Sequence, residues 1–151
     1  MTFDLRPKTE PGARLTALAE TLADDFAKRA TQHDREASYP FENIHALRQA
    51  GYFAAPIPEE YGGMGVTSVH DTVVASSRLA RGDASVAIGV NMHLTVLLAI
   101  RRRYDIARAA GNERRASAFG GFLERVATDG IVLLTRTAER AGGRPGSGAP
   151  A

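Results

Sequence analysis

Apolar side chains recur every three or four residues along most of this chain, which is the spacing that places them on one face of an α-helix. The first such stripe consists of Leu15, Leu18, Leu22 and Phe26, together with Ala19, Ala23 and Ala30. Pro11 precedes the stripe, and proline is favoured in the first turn of a helix. We therefore predict that a first packing helix begins at Pro11.

Capping residues and glycines indicate four further helices. Side-chain caps of helix starts are expected at Ser38 or Tyr39, Thr67 or Ser68, Asp83, and Asn112. We predict that Gly51 ends the second helix and Gly130 the fifth. The second helix presents an apolar face of Phe41, Ile44 and Leu47, and the fourth helix is predicted over residues 84–104. The prediction is an all-α fold, a bundle of about five helices over residues 12–130.

The segment FAAPIPEEYGGMG, residues 53–65, joins the second and third predicted helices. Gly63 and Gly65 match the start of the Gly-x-Gly-x-x-Gly dinucleotide fingerprint, but the third glycine is replaced by serine and prolines break the preceding strand. Glu59 and Glu60 are adjacent, so they point in different directions in an extended chain and do not share a reacting group. The prolines and glycines instead predict an ordered, strand-free connection.

Composition narrows the function classes. With 151 residues, 44% of them hydrophobic and 24% charged, the chain is long enough for one domain with its own core. The net charge of +2 is spread out except at Arg101–Arg103, which we interpret as cations that end the fourth helix and complement its dipole, so no nucleic-acid partner is expected. The absence of cysteine excludes thiolate catalysis and suits a reducing cytoplasm, where we expect the protein to be located.

Neither a metal site nor a membrane span is predicted. The histidines at positions 33, 45 and 70 are scattered, and no pair has the spacing of a zinc-binding helix. The apolar run Val86–Ile100 contains polar residues and is shorter than the roughly 20 residues that cross a bilayer, so we predict a buried helix. The N-terminus lacks the apolar stretch of a secretory signal.

The helical pattern ends near residue 130. IVLLT, residues 131–135, has the composition of a short strand without a partner strand, and the following AGGRPGSGAPA is flexible in composition. We expect a flexible N-terminus over residues 1–11, a helical domain over 12–134 and a disordered Gly/Pro-rich tail over 135–151.

Two segments resemble a known family. YPFENIHALRQAGYFAAPIPEEYGGMGVT and the later SSRLARGDASVAIGVNMH resemble the N-terminal helical domain of the acyl-CoA dehydrogenase family, over about residues 12–134. The combination of Pro-Glu-Glu-Tyr-Gly-Gly-x-Gly with LARGDAS is specific at the superfamily level. The resemblance implies the truncated N-terminal portion of an FAD-dependent enzyme that desaturates acyl-CoA thioesters and forms a homo-oligomer when full length.

The resemblance also implies where the chemistry lies. In the family, a glutamate of the C-terminal domain removes the α-proton, the flavin accepts the hydride, and most flavin contacts lie in other domains or in a neighbouring subunit. We therefore expect no catalytic residue in this chain and no tight binding of FAD to the chain alone. The residues that contact the cofactor, the chain length of the substrate and the electron acceptor stay open.

The start of the fourth helix lines the acyl pocket in resembling enzymes, which implies five substrate-pocket candidates: Ala87, Ile88, Asn91, Met92 and Thr95. Independently of the family, helical spacing places the last four on one face. Core packing with a hydrogen-bonded amide is the alternative for these residues. His93 points away from Asn91 in a regular helix, and we interpret it as a structural histidine.

Two other functions stay open. The polar side chains of Asn91, His93 and Thr95 favour a flavin-dependent monooxygenase or a nitroalkane-oxidase-like member of the same superfamily, in which reduced flavin meets oxygen and the substrate is not a thioester. A non-catalytic helical interaction module is the third possibility, because it needs neither a flavin site nor a base.

The Thr/Ser-Glu-Pro segment that begins the family's β-domain does not follow Val132. When the codons for Ala138–Pro145 are read one base further on, codon degeneracy permits Ser-Glu-Pro-Gly-x-Asp-Leu. We therefore hypothesise a frameshift after about residue 134, with the tail translated out of frame.

Overall fold

The computed structural model of this protein describes residues 5–133. That range contains five α-helices, namely α1 (Glu10–Glu36), α2 (Phe41–Gln49), α3 (Val69–Leu79), α4 (Ala84–Ala109) and α5 (Glu113–Asp129). Two short 3₁₀ turns lie between α2 and α3, and no residue from 5 to 133 belongs to a β-strand. The all-α bundle and the strand-free connection are confirmed. The predicted tail from residue 135 lies outside the described residues.

Three predicted helix starts are confirmed by their caps. The side chains of Ser68, Asp83 and Asn112 accept hydrogen bonds of 3.1, 3.0 and 3.1 Å from backbone N–H groups three residues on. The predicted cap of α2 at Ser38 or Tyr39 is wrong, because the cap position is occupied by proline, which makes no side-chain cap bond. The Ser38 hydroxyl lies 2.8 Å from a ring nitrogen of His33 instead.

The helices bury two apolar clusters. α1 packs against α3 and α4 packs against α5, while α3 also contacts α4. The main cluster unites these buried residues: Leu15, Ala19, Leu22, Phe26, Leu47, Tyr52, Ala55, Val66, Ala75, Leu79, Val86, Ala87, Val90 and Leu94. The second cluster lies between α4, α5 and the segment of residues 53–65, which we call the loop. It contains Ile57, Leu97, Tyr104, Leu123 and Val126. The loop is therefore anchored in both clusters rather than lying over the surface.

The expectation that Phe41 belongs to the apolar face of α2 is wrong. Its side chain is 72% exposed, and its ring contacts the exposed ring of Tyr39 edge-on, with 4.7 Å between centroids. α2 has only nine residues and buries only Asn43 and Leu47. A helix of this length contacts the core over about two turns, so its first residue projects beyond the neighbouring helices.

Arg101–Arg103 do not end the fourth helix, because α4 continues to Ala109. The guanidinium of Arg101 donates to the Asp105 carboxylate at 2.9 Å and to the Pro56 carbonyl at 3.2 Å. The interpretation of the three arginines as partners of the helix dipole is therefore wrong. Arg101 instead fastens the middle of α4 to the loop.

Close packing and a buried polar network account for the glycine and the aspartate of the LARGDAS segment, residues 79–85. Gly82 lies so close to α1 that a Cβ atom would overlap the backbone of Ala23. Asp83 caps α4 with one carboxylate oxygen and with the other accepts a 3.1 Å hydrogen bond from the Asn43 side-chain amide. The Asn43 carbonyl oxygen accepts hydrogen bonds of 3.2 and 2.8 Å from Arg29 of α1. The segment thereby fixes α4 against both α1 and α2.

Candidate functional site

One side of the N-terminal half of α4 is uncovered in the described part of the chain. Ile88 is 70% and Met92 43% exposed, and Asn91 and Thr95 are exposed beside them. Ala87 is only 4% exposed and belongs to the main core. Four of the five pocket candidates therefore share one open face, which we call the α4 face (Ile88, Asn91, Met92 and Thr95), whereas Ala87 supports it from behind.

An open groove continues the α4 face towards the start of α3. It has a volume of about 580 Å³ and is lined by Thr67, Val69, Thr95, Leu98, Ala99, Arg101, Arg102 and Asp105. Val69 is 64% exposed, and the Thr95 hydroxyl donates a 2.8 Å hydrogen bond to the backbone carbonyl of Asn91. The surface therefore offers apolar contact and a few polar atoms, but no enclosed cavity.

The glycine-rich loop is not a phosphate cradle. The backbone N–H groups of Gly62, Gly63 and Gly65 donate to carbonyls within residues 57–59 at 3.0, 3.1 and 2.8 Å. Gly62 and Gly65 adopt positive φ angles of 84° and 72°, which few other residues tolerate. Since these donors are already used for turns of the loop itself, an anion would find none of them free.

Glu59 and Glu60 point in different directions, as predicted. Glu59 forms an ion pair with Arg14 of α1, whereas Glu60 accepts hydrogen bonds of 3.0 Å from the Tyr104 hydroxyl and 3.3 Å from Arg108 of α4. Burial raises the pKa of Tyr104 to about 12, with Glu60 adding to the rise and Arg108 opposing it. The two carboxylates brace the loop between helices, and Tyr104 stays protonated at neutral pH.

His93 is fully buried on the side of α4 opposite Asn91. Its Nδ1 accepts a 2.9 Å hydrogen bond from the Leu133 backbone N–H, so the ring proton resides on Nε2 and is donated at 2.9 Å to the Phe53 carbonyl. Burial lowers the pKa of His93, and the Phe53 carbonyl opposes this. These contacts support the structural interpretation of this residue. Sequence reasoning missed its partners because each lies 40 residues away.

The α4 face fits one side of a flavin or of its substrate. Ile88 and Met92 offer apolar contact, and the side chains of Asn91 and Thr95 offer polar atoms. No described residue covers the opposite side of such a ligand, because the groove beside the face is open. Within residues 5–133 no three His, Cys, Asp or Glu side chains lie together as metal ligands, and the absence of a metal site stays a prediction.

α4 is longer than the apolar run that we expected. It has 26 residues, and its most apolar stretch has a mean hydropathy of 1.5. By length and composition alone, it is the one helix among the described residues that is long and apolar enough to cross a membrane. Core helices of soluble proteins pass the same test. In addition, His93 of α4 and its cap residue Asp83 make hydrogen bonds within the bundle. The test is therefore weak evidence for a membrane span.

Comparisons with known proteins show similarity to two groups of enzymes. A putative acyl-CoA dehydrogenase, YdbM of Bacillus subtilis (strain 168), is 32% identical over 131 residues, covering 83% of this chain and 32% of the relative. The amino sugar nitrososynthase DnmZ of Streptomyces peucetius is 37% identical over 59% of this chain and 22% of its own length. The solved structure of KijD3 in complex with dTDP matches with a TM-score of 0.71 and 29% identity, covering 83% of this chain and 31% of that chain.

The family described as "Acyl-CoA dehydrogenase, N-terminal domain" matches residues 13–104, which is more than half of the chain. The chain spans about a third or less of the length of the relatives that it matches. The matched range runs from the start of α1 to Tyr104 of α4, and so includes the loop, the LARGDAS segment and the α4 face. The chain therefore belongs to the acyl-CoA dehydrogenase family, in which residues 13–104 are the N-terminal domain.

Proposed function

We propose that the α4 face is one wall of a substrate pocket in a flavin-dependent oxidoreductase, and that the reaction is the α,β-desaturation of an acyl-CoA thioester with FAD. The proposal depends on one observation, the open face on which Ile88 and Met92 alternate with Asn91 and Thr95. Ligand pockets combine such apolar surfaces with a small number of polar groups. A cytoplasmic location is part of the proposal, since the chain has no cysteine.

Each residue of the face has a distinct task in this proposal. Bound FAD would supply the hydride acceptor. Ile88 and Met92 would exclude water from one side of an acyl chain, because apolar side chains gain free energy when an apolar ligand covers them. The Asn91 amide provides both a donor and an acceptor for a carbonyl or a flavin edge. The Thr95 hydroxyl already donates to the Asn91 carbonyl, so its oxygen is left as an acceptor.

A second candidate is a reduced-flavin monooxygenase that acts on a more polar substrate. Asn91 and Thr95 favour it, because they make half of the α4 face polar. The names of relatives support it too, since they include nitrososynthases and a probable FMNH2-dependent monooxygenase of Pseudomonas putida, 34% identical over 63% of this chain. The two candidates differ in which ligand contacts the α4 face, an acyl-CoA or a nucleotide such as the dTDP bound to KijD3.

We expect the purified chain alone to bind FAD only weakly and to be inactive. Tight binding needs groups that hold the ring, the pyrophosphate and the adenosine together, and the described residues offer a single open wall on which Ile88 is 70% exposed. Titration of FAD followed by flavin fluorescence should show no saturation in the micromolar range. An assay of dye reduction with an acyl-CoA should equal a control without protein. Stoichiometric micromolar binding, or turnover above that control, would contradict this expectation.

The α4 face should also make the chain self-associate as its concentration rises, because exposed apolar patches attract one another. We expect the double substitution Ile88→Ser and Met92→Ser to suppress association in sedimentation experiments. Ile106→Ser is a matched control, since Ile106 is 59% exposed at a different part of α4. A wild-type chain that stays monomeric at high concentration would refute this role of the face.

A further inference from the structure

We infer that His93 is a proton-operated latch, which in its neutral form ties the chain at Leu133 to α4 and to the loop at Phe53, and which releases Leu133 when the ring is protonated. The inference concerns the back of α4 rather than the α4 face. It is therefore independent of which flavin reaction the protein serves.

The latch rests on the two hydrogen bonds of the buried ring. Leu133 donates its backbone N–H to Nδ1 and the Phe53 carbonyl accepts from Nε2, both at 2.9 Å. The Phe53 ring also packs edge-on against the imidazole, with 5.3 Å between centroids. Only the neutral tautomer with its proton on Nε2 satisfies both partners, because Leu133 requires an acceptor and Phe53 a donor.

The latch holds residues 131–133, which make no further hydrogen bond within the described part of the chain. Ile131 and Leu133 pack against the second core cluster, and Val132 between them is 41% exposed. The part of this segment within the described residues is neither helix nor strand. Within residues 5–133, two partly buried side chains and the hydrogen bond to His93 hold it against α4 and α5.

Protonation acts on one of the two bonds only. A proton on Nδ1 turns that atom into a donor that faces the Leu133 N–H, so this bond is lost, whereas Nε2 continues to donate to Phe53. Among the described residues no carboxylate pairs with the ring: residues 131–133 have no ionisable side chain, the 52–54 turn has the buried Tyr52, and Arg125 and Asp129 of α5 are exposed and paired with each other. The Arg48 guanidinium of α2 lies beside Gly130, and its positive charge does not favour a second one on the ring. The lowered pKa of His93 means that release needs a more acidic solution than an exposed histidine would.

Amide hydrogen exchange of the full chain, followed by NMR, tests the latch. Between about pH 7.5 and about pH 4.5, the protection factor of the Leu133 amide should fall at least about tenfold. The Val66 amide, which donates to the Ala55 carbonyl at 2.9 Å, is the internal control and should keep its protection. A Leu133 protection factor that does not change with pH, or one that falls together with that of Val66, would overturn the inference.

The variant His93→Gln separates titration of the ring from a general effect of acid. Glutamine offers a donor and an acceptor but has no proton to gain, so the protection of Leu133 should become independent of pH. The same pH-dependent loss in this variant would overturn the inference. If the variant does not fold, the ¹⁵N shifts of the wild-type imidazole decide instead. An Nε2–H tautomer that gains its second proton as Leu133 loses protection supports the latch, and any other tautomer contradicts it.

Discussion

Replacement of Asp71 by alanine should lower the free energy of unfolding by about 3 kcal/mol. The Asp71 carboxylate of α3 is fully buried and accepts hydrogen bonds of 2.8 and 3.0 Å from the backbone N–H groups of Lys8 and Thr9, and of 2.6 Å from the Thr9 hydroxyl. Without the carboxylate, three hydrogen bonds to a charged group are lost. Water replaces part of each because Lys8 and Thr9 are exposed, so we expect a total of about 3 kcal/mol. Denaturant unfolding of both proteins measures the loss.

Asp24→Ala is the matched control, because Asp24 is an exposed aspartate in the middle of α1. A surface substitution of this kind should change the unfolding free energy by no more than about 0.5 kcal/mol. Equal effects of the two substitutions would show that Asp71 does not hold α1 to α3.

The same carboxylate makes stability depend on pH. Burial raises the pKa of Asp71, but the hydrogen bonds from Thr9 and Lys8 and the nearby His70 together outweigh it, so the pKa lies below its ordinary value. The unfolded chain therefore takes up this proton first, near the reference value of about 3.9. The contribution of Asp71 is complete above that pH and is lost as pH falls through the lower folded-state pKa. The difference between wild type and Asp71→Ala should shrink over that interval.

Gly82→Ala should destabilise the domain by about 3 kcal/mol, at the upper end for overpacked sites. A Cβ atom at this position would overlap the backbone of Ala23, and the backbone inside a long helix does not move aside as a flexible side chain does. Gly89→Ala is the matched control, because nothing lies within 4 Å of a Cβ atom there and alanine favours the helix. The control should gain up to about 1 kcal/mol. Melting temperatures that shift in the same direction for Gly82→Ala and Gly89→Ala would contradict this account of the LARGDAS segment.

Most of the features that the sequence predicts correctly depend on neighbouring residues. The stripe of α1 and the caps at Ser68, Asp83 and Asn112 follow from helical periodicity and short-range hydrogen bonding. The predicted end of α4 is wrong because the arginines do not interrupt the apolar period. That period continues through Tyr104 and Ala107, which are both buried.

Features that depend on distant residues were not predictable. The Asn43 to Asp83 hydrogen bond joins residues 40 apart, as do both bonds of His93, and nothing local in the sequence pairs them. Likewise, the spacing of apolar residues in α2 places Phe41 on an apolar face. That spacing does not show whether another helix packs against Phe41. The reason for glycine at position 120 is also distant in sequence, because the missing Cβ makes room for the Tyr61 hydroxyl.

The candidate site was partly predictable, since helical spacing alone grouped Ile88, Asn91, Met92 and Thr95. Their exposure was not predictable, because exposure depends on what the other helices leave uncovered. Ala87 shows the same limit, since one residue of separation from Ile88 turns its side chain by about 100° into the core.

The methyl groups of methionine test the role of the α4 face most directly. The chain has three methionines: Met92 lies on the face, Met64 packs against the main core, and Met1 lies outside the described residues. In a chain labelled with ¹³C at these methyl groups, FAD and an acyl-CoA are titrated to about millimolar concentration, the range of weak ligands, with dTDP as the ligand of the second candidate. The account predicts a progressive shift of the Met92 signal with Met64 unchanged. A Met92 signal that stays fixed with every ligand, or that moves only together with Met64, would contradict the assignment of this face as a pocket wall.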